Sequence, residues 1–286
     1  MSTNTSLRSL LSDSALPQNE AKILLAFVID KHYQLPRSAL LSRDEMELSP
    51  EALEQWRNLE SKRLSGEPIA YLVGKRGFHE IDLYVAPGVL IPRPETEILV
   101  EVALREIQKL NRPATILDLG TGSGAIALAI AHSAPQALVT ATDQSPEALA
   151  IAKMNAEQLG LVDRVQFSEG DWYGALEDEY LSTQFDVIIS NPPYIAAGDR
   201  HLTEGDLRFE PASALTDGGS GLSCLEAIIS QAEHHLKPGG LITVEHGFDQ
   251  SDATVHLMKR ANLQDIQVHQ DLAGHSRAVS GRKLAP

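Results

Sequence analysis

Cysteine is nearly absent: Cys224 is the only one in 286 residues. A single thiol excludes an internal disulfide framework and fits a reducing cytosol. It reads as a small buried hydrophobe rather than a nucleophile. Basic charge is also short. Lys and Arg total 24 against 39 Asp and Glu, a net charge of -15. Phosphate affinity comes from Lys and Arg, so so acidic a chain is a poor candidate for coating nucleic acid. Long apolar runs are missing. The longest near the middle, Ala125 to Ala131, falls far short of the ~20 residues that span a bilayer. The opening MSTNTSLRSLL has no basic head followed by an apolar core, so no secretory signal is expected. The ten histidines are scattered, with no His-x-x-x-His pair, and no metal site is expected. No internal repeat or low-complexity tract appears.

What remains is ordinary globular material, 43% hydrophobic and 22% charged, long enough for one or two domains. The charge is unevenly placed. Residues 1–76 carry ten basic and ten acidic residues; residues 77–286 carry 14 and 29, which is the whole imbalance. That asymmetry suggests two domains.

The neutral segment reads as helical. Asn19 to Tyr33 places Ala21, Ile23, Leu24, Leu25, Phe27, Val28 and Ile29 against Glu20, Lys22, Asp30 and Lys31. Ser49-Pro50 is a helix start, Leu53, Trp56, Leu59 and Leu64 follow at near-helical spacing, and Gly66 suits the C-terminal cap. Nothing there has catalytic spacing. Next, Ile81, Leu83 and Val85 alternate with Asp82 and Tyr84, and Pro87-Gly88 turns the chain. This predicts a β-hairpin over residues 77–92, where a linker would lie.

Beyond Arg93 the pattern is strand and helix in alternation. An amphipathic helix over Glu95 to Leu110 is opened by Pro94. Five apolar strands are predicted: Thr115 to Leu119, Leu138 to Thr142, Val165 to Ser168, Phe185 to Ser190 and Leu241 to Glu245. Helices over Ala125 to His132, Pro146 to Leu159 and Leu222 to Leu236 separate most of them. Near-continuous apolar strands joined this way imply an α/β fold with a parallel sheet covered on both faces. Ligands then bind beyond the carboxyl ends of the strands.

Two such ends carry chemistry. The first strand runs through Asp118 into Gly120-Thr121-Gly122-Ser123-Gly124 and then an apolar helix. Glycines let a ligand approach the backbone where a Cβ would collide. Asp143, ending the next strand, can accept two ribose hydroxyls. A turn that merely needs glycine is the bland alternative. Gly120-x-Gly122-x-x-Ala125 also satisfies a relaxed dinucleotide fingerprint. Asp118 argues against that, because a carboxylate there repels a pyrophosphate and attracts an ammonium or sulfonium. The loop therefore favours S-adenosylmethionine over a dinucleotide.

The fourth strand ends in Asn191-Pro192-Pro193-Tyr194. Two prolines fix an extended backbone and remove two N–H donors, so the Pro192 carbonyl can turn into a cleft. A planar NH2 on a carbonyl or ring is a weak nucleophile. The Asn191 side-chain oxygen and the Pro192 carbonyl can each accept one of its N–H groups. That orients the nitrogen and stabilises the charge that develops during attack on a methyl. Tyr194 can stack on the planar group and exclude water. No general base is needed before attack.

Together these motifs resemble methyltransferases of planar exocyclic nitrogens. More of the chain resembles one branch, the release factor glutamine methyltransferases. The resemblance rests on Gly66-Glu67-Pro68-x-x-Tyr71-Leu72-x-Gly74, Val89 through Glu97, Asp171-Trp172, Asn191 to Tyr194, Glu210-Pro211 with Ala214-Leu215, Gly218-Gly219 with Gly221-Leu222, and the tail DLAGHSRAVSGR. It covers essentially the whole chain and departs from the pattern at Gly77-Phe78-His79. It implies a seven-stranded, mostly parallel Rossmann-like methyltransferase sheet over 93–286, a hairpin linker over 77–92, and a small all-α substrate-recognition domain over 1–76. It implies transfer of the S-adenosylmethionine methyl to the glutamine of the Gly-Gly-Gln loop of class I peptide chain release factors. The products are N5-methylglutamine and S-adenosylhomocysteine. Asp118, Gly120, Thr121, Gly122, Ser123, Gly124, Asp143, Trp172 and Asn191 are then the cofactor residues. Asn191, Pro192, Pro193 and Tyr194 grip the substrate, with Asn191, Pro192 and Tyr194 at the reacting group. The expected setting is a cytoplasmic monomer whose partner is the release factor, with no membrane or direct nucleic-acid contact.

Two features stay open. Arg93, Glu95 and Glu97 read either as a helix N-terminus with dipole-matching acids or as residues closing the cofactor site. Glu245 reads as a buried strand-end carboxylate near the cleft. The competing functions are a nucleic-acid amino-methyltransferase, which must flip a base and hold a backbone, and a non-catalytic module that kept the fold. Missing basic charge argues against the first, and intact motifs against the second.

Overall fold

The computed structural model describes residues 5–176 and 184–285. The chain divides into two compact units, residues 1–75 and 76–286. The first contains α1 (Leu7–Asp13), α2 (Gln18–Tyr33), α3 (Ala39–Ser42), α4 (Pro50–Leu64) and α5 (Ile69–Val73). Ser49 caps α4 through its side-chain oxygen, with Pro50 at the first helical position. The apolar stripe of α2, including Leu24, Leu25, Val28 and Ile29, packs with Trp56 and Leu59 of α4 into one core.

The second unit opens on a hairpin of β1 (Lys75–Phe78), whose first residue ends the first unit, and β2 (Ile81–Tyr84). Its turn is at His79-Glu80, not at Pro87-Gly88. His79 adopts a left-handed φ of 51° there, and its backbone N–H donates to Glu97 Oε1 at 3.0 Å. Val85 onward leaves the ladder as an irregular segment. Phe78, Ile81 and Leu83 are buried in the core of this unit, so the departure at Gly77-Phe78-His79 keeps a packing role. Asn155 fixes the hairpin to the glycine loop: its amide donates to Tyr84 O at 3.0 Å and Ser123 O at 2.9 Å.

A 3-10 turn over Pro94–Thr96 leads into α6 (Glu97–Ile107). Then follow β3 (Thr115–Leu119), α7 (Ala125–Ser133), β4 (Leu138–Asp143), α8 (Pro146–Leu159), β5 (Val165–Glu169), β6 (Phe185–Ser190), α9 (Ser223–His235), β7 (Leu236–Glu245), α10 (Ser251–Arg260), β8 (Gln264–Gln270) and β9 (Ser276–Arg282). Among the described residues, seven strands form one sheet in the order β5-β4-β3-β6-β7-β9-β8. The first five are parallel; β9 runs antiparallel to both neighbours. Alternation along β3 sends Ile116 to the core under α6 and α7, and Leu117 and Leu119 to the core under α9 and α10. Helix α7 is buried all round from Ala125 to Ala131, as a helix sandwiched beside a sheet must be.

Strand order reverses between β3 and β6. From β3 the chain winds outward through β4 and β5, then returns to β6 and winds the other way. The two connections diverge at that point and leave a crevice beyond the strand ends. The loops after β3 and β6 carry the glycines and Asn191. No helix among the described residues is long and apolar enough to cross a membrane.

Candidate active site

The glycine loop is held from below. Gly120, Gly122 and Gly124 have φ values of 74°, 57° and 84°, a region L side chains rarely adopt. The Gly120 and Thr121 N–H groups each donate to Thr142 O at 2.9 Å. Asp118 is fully buried. Its Oδ2 accepts from Thr121 Oγ1 at 2.7 Å and from the Ala127 N–H at 3.2 Å. Burial pushes its carboxyl up to about 7, against the pull of Thr121 and Ala127 and with repulsion from Asp143. Asp118 thus anchors the loop to the start of α7 and does not line the crevice. Both bonds fall on Oδ2; Oδ1 is buried and closes no hydrogen bond among the described residues.

Asp143 lies on the wall. Its Oδ2 accepts from the Gly122 N–H at 2.8 Å and its Oδ1 from the Ser145 N–H at 2.9 Å. Burial raises this carboxyl, and donation from Ser145, Gly122 and Gln144 draws it back. Trp172, at a left-handed φ of 44°, brings its ring to 3.2 Å from where a Cβ on Gly120 would stand. A cavity open to solvent, with about 920 Å³ of empty space, lies between them. Of the residues expected at the cofactor, Gly120, Thr121, Gly122, Ser123, Asp143, Trp172 and Asn191 line it, and Asp118 and Gly124 do not. Gly88, Gln144, Ser145 and Asp171 line it too; Gln144 and Ser145 lie in a loop and carry no periodic signal that marks them in the sequence.

A second cavity, about 830 Å³, adjoins the first. Asn191, Leu90 and Ala214 line both. Pro193 faces the first, while Pro192 and Tyr194 face the second. The Asn-Pro-Pro-Tyr segment is therefore the partition between them. The Tyr194 hydroxyl donates to Glu245 Oε1 at 3.0 Å, and the Tyr194 carbonyl accepts from Gln250 Nε2 at 2.9 Å. The negative Glu245 and burial raise the Tyr194 phenol well above its ordinary value. Glu245, 2% exposed, is itself pushed up to about 7 by burial; Thr96, Tyr194 and Arg277 oppose that rise and Glu95 adds to it.

The charged run before α6 separates by partner. Arg93 pairs with the buried Glu210, whose other oxygen accepts from the Ile91 N–H at 3.0 Å. Glu97 accepts from His79. Glu95 lines the second cavity with Arg93 and Arg277. None of the three lines the first cavity: Arg93 and Glu95 line the second, and Glu97 holds the hairpin turn. Cys224 is only half-buried, on α9. Burial, then Asp217 and Asp171, raise its thiol, the opposite of what a nucleophile needs.

A doubly covered parallel sheet with a glycine loop at its switch point and Asn-Pro-Pro-Tyr beside it defines a methyltransferase. A family described as a methyltransferase domain matches residues 110–278, and one described as the PrmC N-terminal domain matches residues 5–74. A release factor glutamine methyltransferase of Bordetella pertussis is 47% identical over 97% of this chain and 99% of its own length. One of Salmonella typhimurium is 43% identical over 95% of this chain and 94% of its own. The crystal structure of a methyltransferase from Pyrococcus furiosus matches the fold with a TM-score of 0.52 at 19% identity, over 79% of this chain and 98% of that one. The chain belongs to the release factor glutamine methyltransferase family.

Proposed function

We propose that the protein transfers the methyl group of S-adenosylmethionine to the side-chain nitrogen of the Gly-Gly-Gln glutamine in class I peptide chain release factors. The observation that carries this reading is Asn191, a single amide facing both cavities. One cavity suits an adenosine-type cofactor. A Cβ on Gly122 would meet nothing within 4 Å, so the loop backbone is open to a ligand. Asp143 offers carboxylate lone pairs to ribose hydroxyls, and Trp172 offers an aromatic ring beside Gly120. Among the described residues this wall holds no Lys or Arg, which suits a cationic cofactor and not a pyrophosphate. When bound, that cofactor supplies an electrophilic methyl on a sulfonium.

The chain's own residues do the rest. Asn191 donates its Nδ2 to Thr96 Oγ1 at 3.2 Å, which turns its Oδ1 away as a free acceptor. That oxygen and the Pro192 carbonyl take the two N–H groups of the substrate amide. Both acceptors strengthen as positive charge develops on the attacking nitrogen, and that difference is what accelerates transfer. Tyr194 closes the substrate side against water, and the surplus proton leaves to solvent after transfer. Residues 93–286 perform this chemistry, residues 1–76 recognise the release factor away from the reacting loop, and residues 77–92 join them. The setting is the cytoplasm, and the working form is a monomer.

The test is methyl incorporation from labelled S-adenosylmethionine into a purified release factor. Asn191→Ala is expected to cut kcat on the order of 100-fold or more, with calorimetry reading any loss of cofactor affinity separately. Undiminished transfer by that variant would overturn the role of Asn191. A nucleic-acid substrate predicts instead tight, salt-sensitive binding to DNA or RNA in a gel shift.

A further inference from the structure

The Asn-Pro-Pro-Tyr segment carries few groups by which it can be held. Pro192 and Pro193 have no N–H, so neither can be tied down through a backbone donor. Upstream the sheet fixes the segment: Ser190 ends β6, and its hydroxyl donates to Leu119 O at 2.7 Å. Downstream it is fixed by what meets Tyr194 and Ile195. The Tyr194 carbonyl accepts from Gln250 Nε2 at 2.9 Å, and the Ile195 N–H donates to Leu215 O at 3.0 Å.

Gln250 stands immediately before α10, and its side-chain amide is engaged at both ends. Nε2 has two protons. One goes to Tyr194 O and the other to Gly221 O at 3.3 Å. Oε1 accepts from the Gly247 N–H at 2.8 Å. These three partners fix which way round the amide sits: turned over, its oxygen would face two carbonyls and its NH2 an N–H. Gly221 is held from its other side too, since its N–H donates to Asp217 Oδ1 at 2.9 Å. The base of this clamp is firm. The Gln250 N–H donates to Gly247 O at 2.9 Å, its carbonyl accepts the Thr254 N–H at 2.9 Å, and Thr254 and Met258 of α10 are fully buried. Gln250 itself lines neither cavity.

We infer that Gln250 is a positioning residue for methyl transfer: its amide clamps the Tyr194 carbonyl and thereby sets where the Pro192 carbonyl points. This role rests on the reading of that carbonyl, with Asn191, as an acceptor for the substrate amide. Pro192 lies between the two anchors, Ser190 and Tyr194. The fixed φ of both prolines passes the position of one anchor toward the other. Loosening the Tyr194 end lets the Pro192 carbonyl swing, and a displacement of about 1 Å at a reacting group costs on the order of 100-fold in rate. Because Gln250 touches neither cavity, its effect falls on the rate and not on the binding of cofactor or substrate.

The experiment is steady-state methyl transfer to a purified release factor by the wild type, Gln250→Glu and Gln250→Met, with cofactor calorimetry and thermal melting beside it. Gln250→Glu keeps the length and the acceptor for the Gly247 N–H, and puts an oxygen where two carbonyls require a donor. Its kcat should fall on the order of 10- to 100-fold, while KM for the release factor and the cofactor dissociation constant stay near wild type. Gln250→Met keeps the bulk, loses the donor and adds no repulsion, so its kcat should lie between those of the wild type and Gln250→Glu. A merely structural role would lower Tm and leave the kcat of folded protein unchanged. Wild-type kcat in folded Gln250→Glu, a loss carried by KM or by cofactor affinity, or a Gln250→Met slower than Gln250→Glu overturns the clamp. If Gln250→Glu does not fold, the kcat and KM of Gln250→Met decide. An inactive wild type would instead overturn the assigned substrate, so the two failures are distinguishable.

Discussion

Asp143 binds to its neighbours before it binds anything else. Its two oxygens already accept the N–H groups of Gly122 and Ser145, so it shapes the loop as well as offering lone pairs to a ligand. Hydrogen bonds to an ionised group contribute about 1.5–3 kcal/mol each. Asp143→Ala is accordingly predicted to weaken cofactor binding by at least roughly 30-fold, read as the dissociation constant by calorimetry. Unchanged affinity would remove Asp143 from the site. This acid, Asn191 and the glycines were legible in the sequence because each ends a strand at a motif. Asp118 was legible as important but not in what it does: it sits behind the loop, and the sequence alone does not say which way a buried strand-end side chain turns. Thr96 was not legible as a partner of Asn191. The contact joins residues 95 positions apart, and only the folded chain brings them together.

Strands and turns set how firmly those residues are held. Gly221 is one such place. A Cβ there would stand 2.3 Å from Tyr194 O and 2.8 Å from Gln250 Nε2, and its φ is 82°. Gly221→Ala is predicted to push the Asn-Pro-Pro-Tyr segment, lowering kcat by 10-fold or more while cofactor affinity changes little. A kcat equal to wild type would show that the segment tolerates displacement. At the opposite end of the sheet, Asp186 ties three strands. It accepts from Arg112 and the Thr115 N–H at 2.8 Å and from Lys237 at 3.0 Å. Burial raises its carboxyl, but these donors outweigh burial and hold it well below the usual carboxylate range. Such a group stabilises the fold above its unfolded pKa, and that contribution is lost as pH falls through the folded value. Asp186→Asn is therefore predicted to lower Tm at neutral pH, by an amount corresponding to about 1.5–3 kcal/mol. The gap from wild type should close on strong acidification; a gap that is constant with pH would contradict this. Strands β3 and β6 were readable because they are buried on both faces almost throughout, and β4, β5 and β7 because strand and helix alternate around them. Strand β8 was reachable only through family resemblance and α10 was not read at all. The exposed, polar run of β8 shows no alternation. The hairpin turn was misplaced because Pro87-Gly88 is a stronger turn signal than His79-Glu80, and Phe78 burial decides the register instead.

Across the whole molecule the charge of -15 disfavours nucleic acid as a partner. The acids Glu204 and Asp206 precede in sequence Leu207, which lines the second cavity. A negative rim steers a basic partner, and salt screens it. Glu204→Gln with Asp206→Asn is predicted to raise KM for the release factor at low ionic strength, with the difference shrinking in high salt. Equal KM at low salt would mean that these acids serve solubility alone. The two-part division of the charge, neutral to residue 76 and acidic beyond, places that field on the unit that carries the chemistry.

Asn191 stands between the two cavities, and the proposed function assigns the cofactor to one and the substrate glutamine to the other. Mass spectrometry tests it most directly, on a purified release factor incubated with this protein and S-adenosylmethionine. One added methyl is expected on the side-chain nitrogen of the Gly-Gly-Gln glutamine, and far less over the same time with Asn191→Ala. An unmodified loop glutamine after incubation with wild-type protein that binds the cofactor would contradict it.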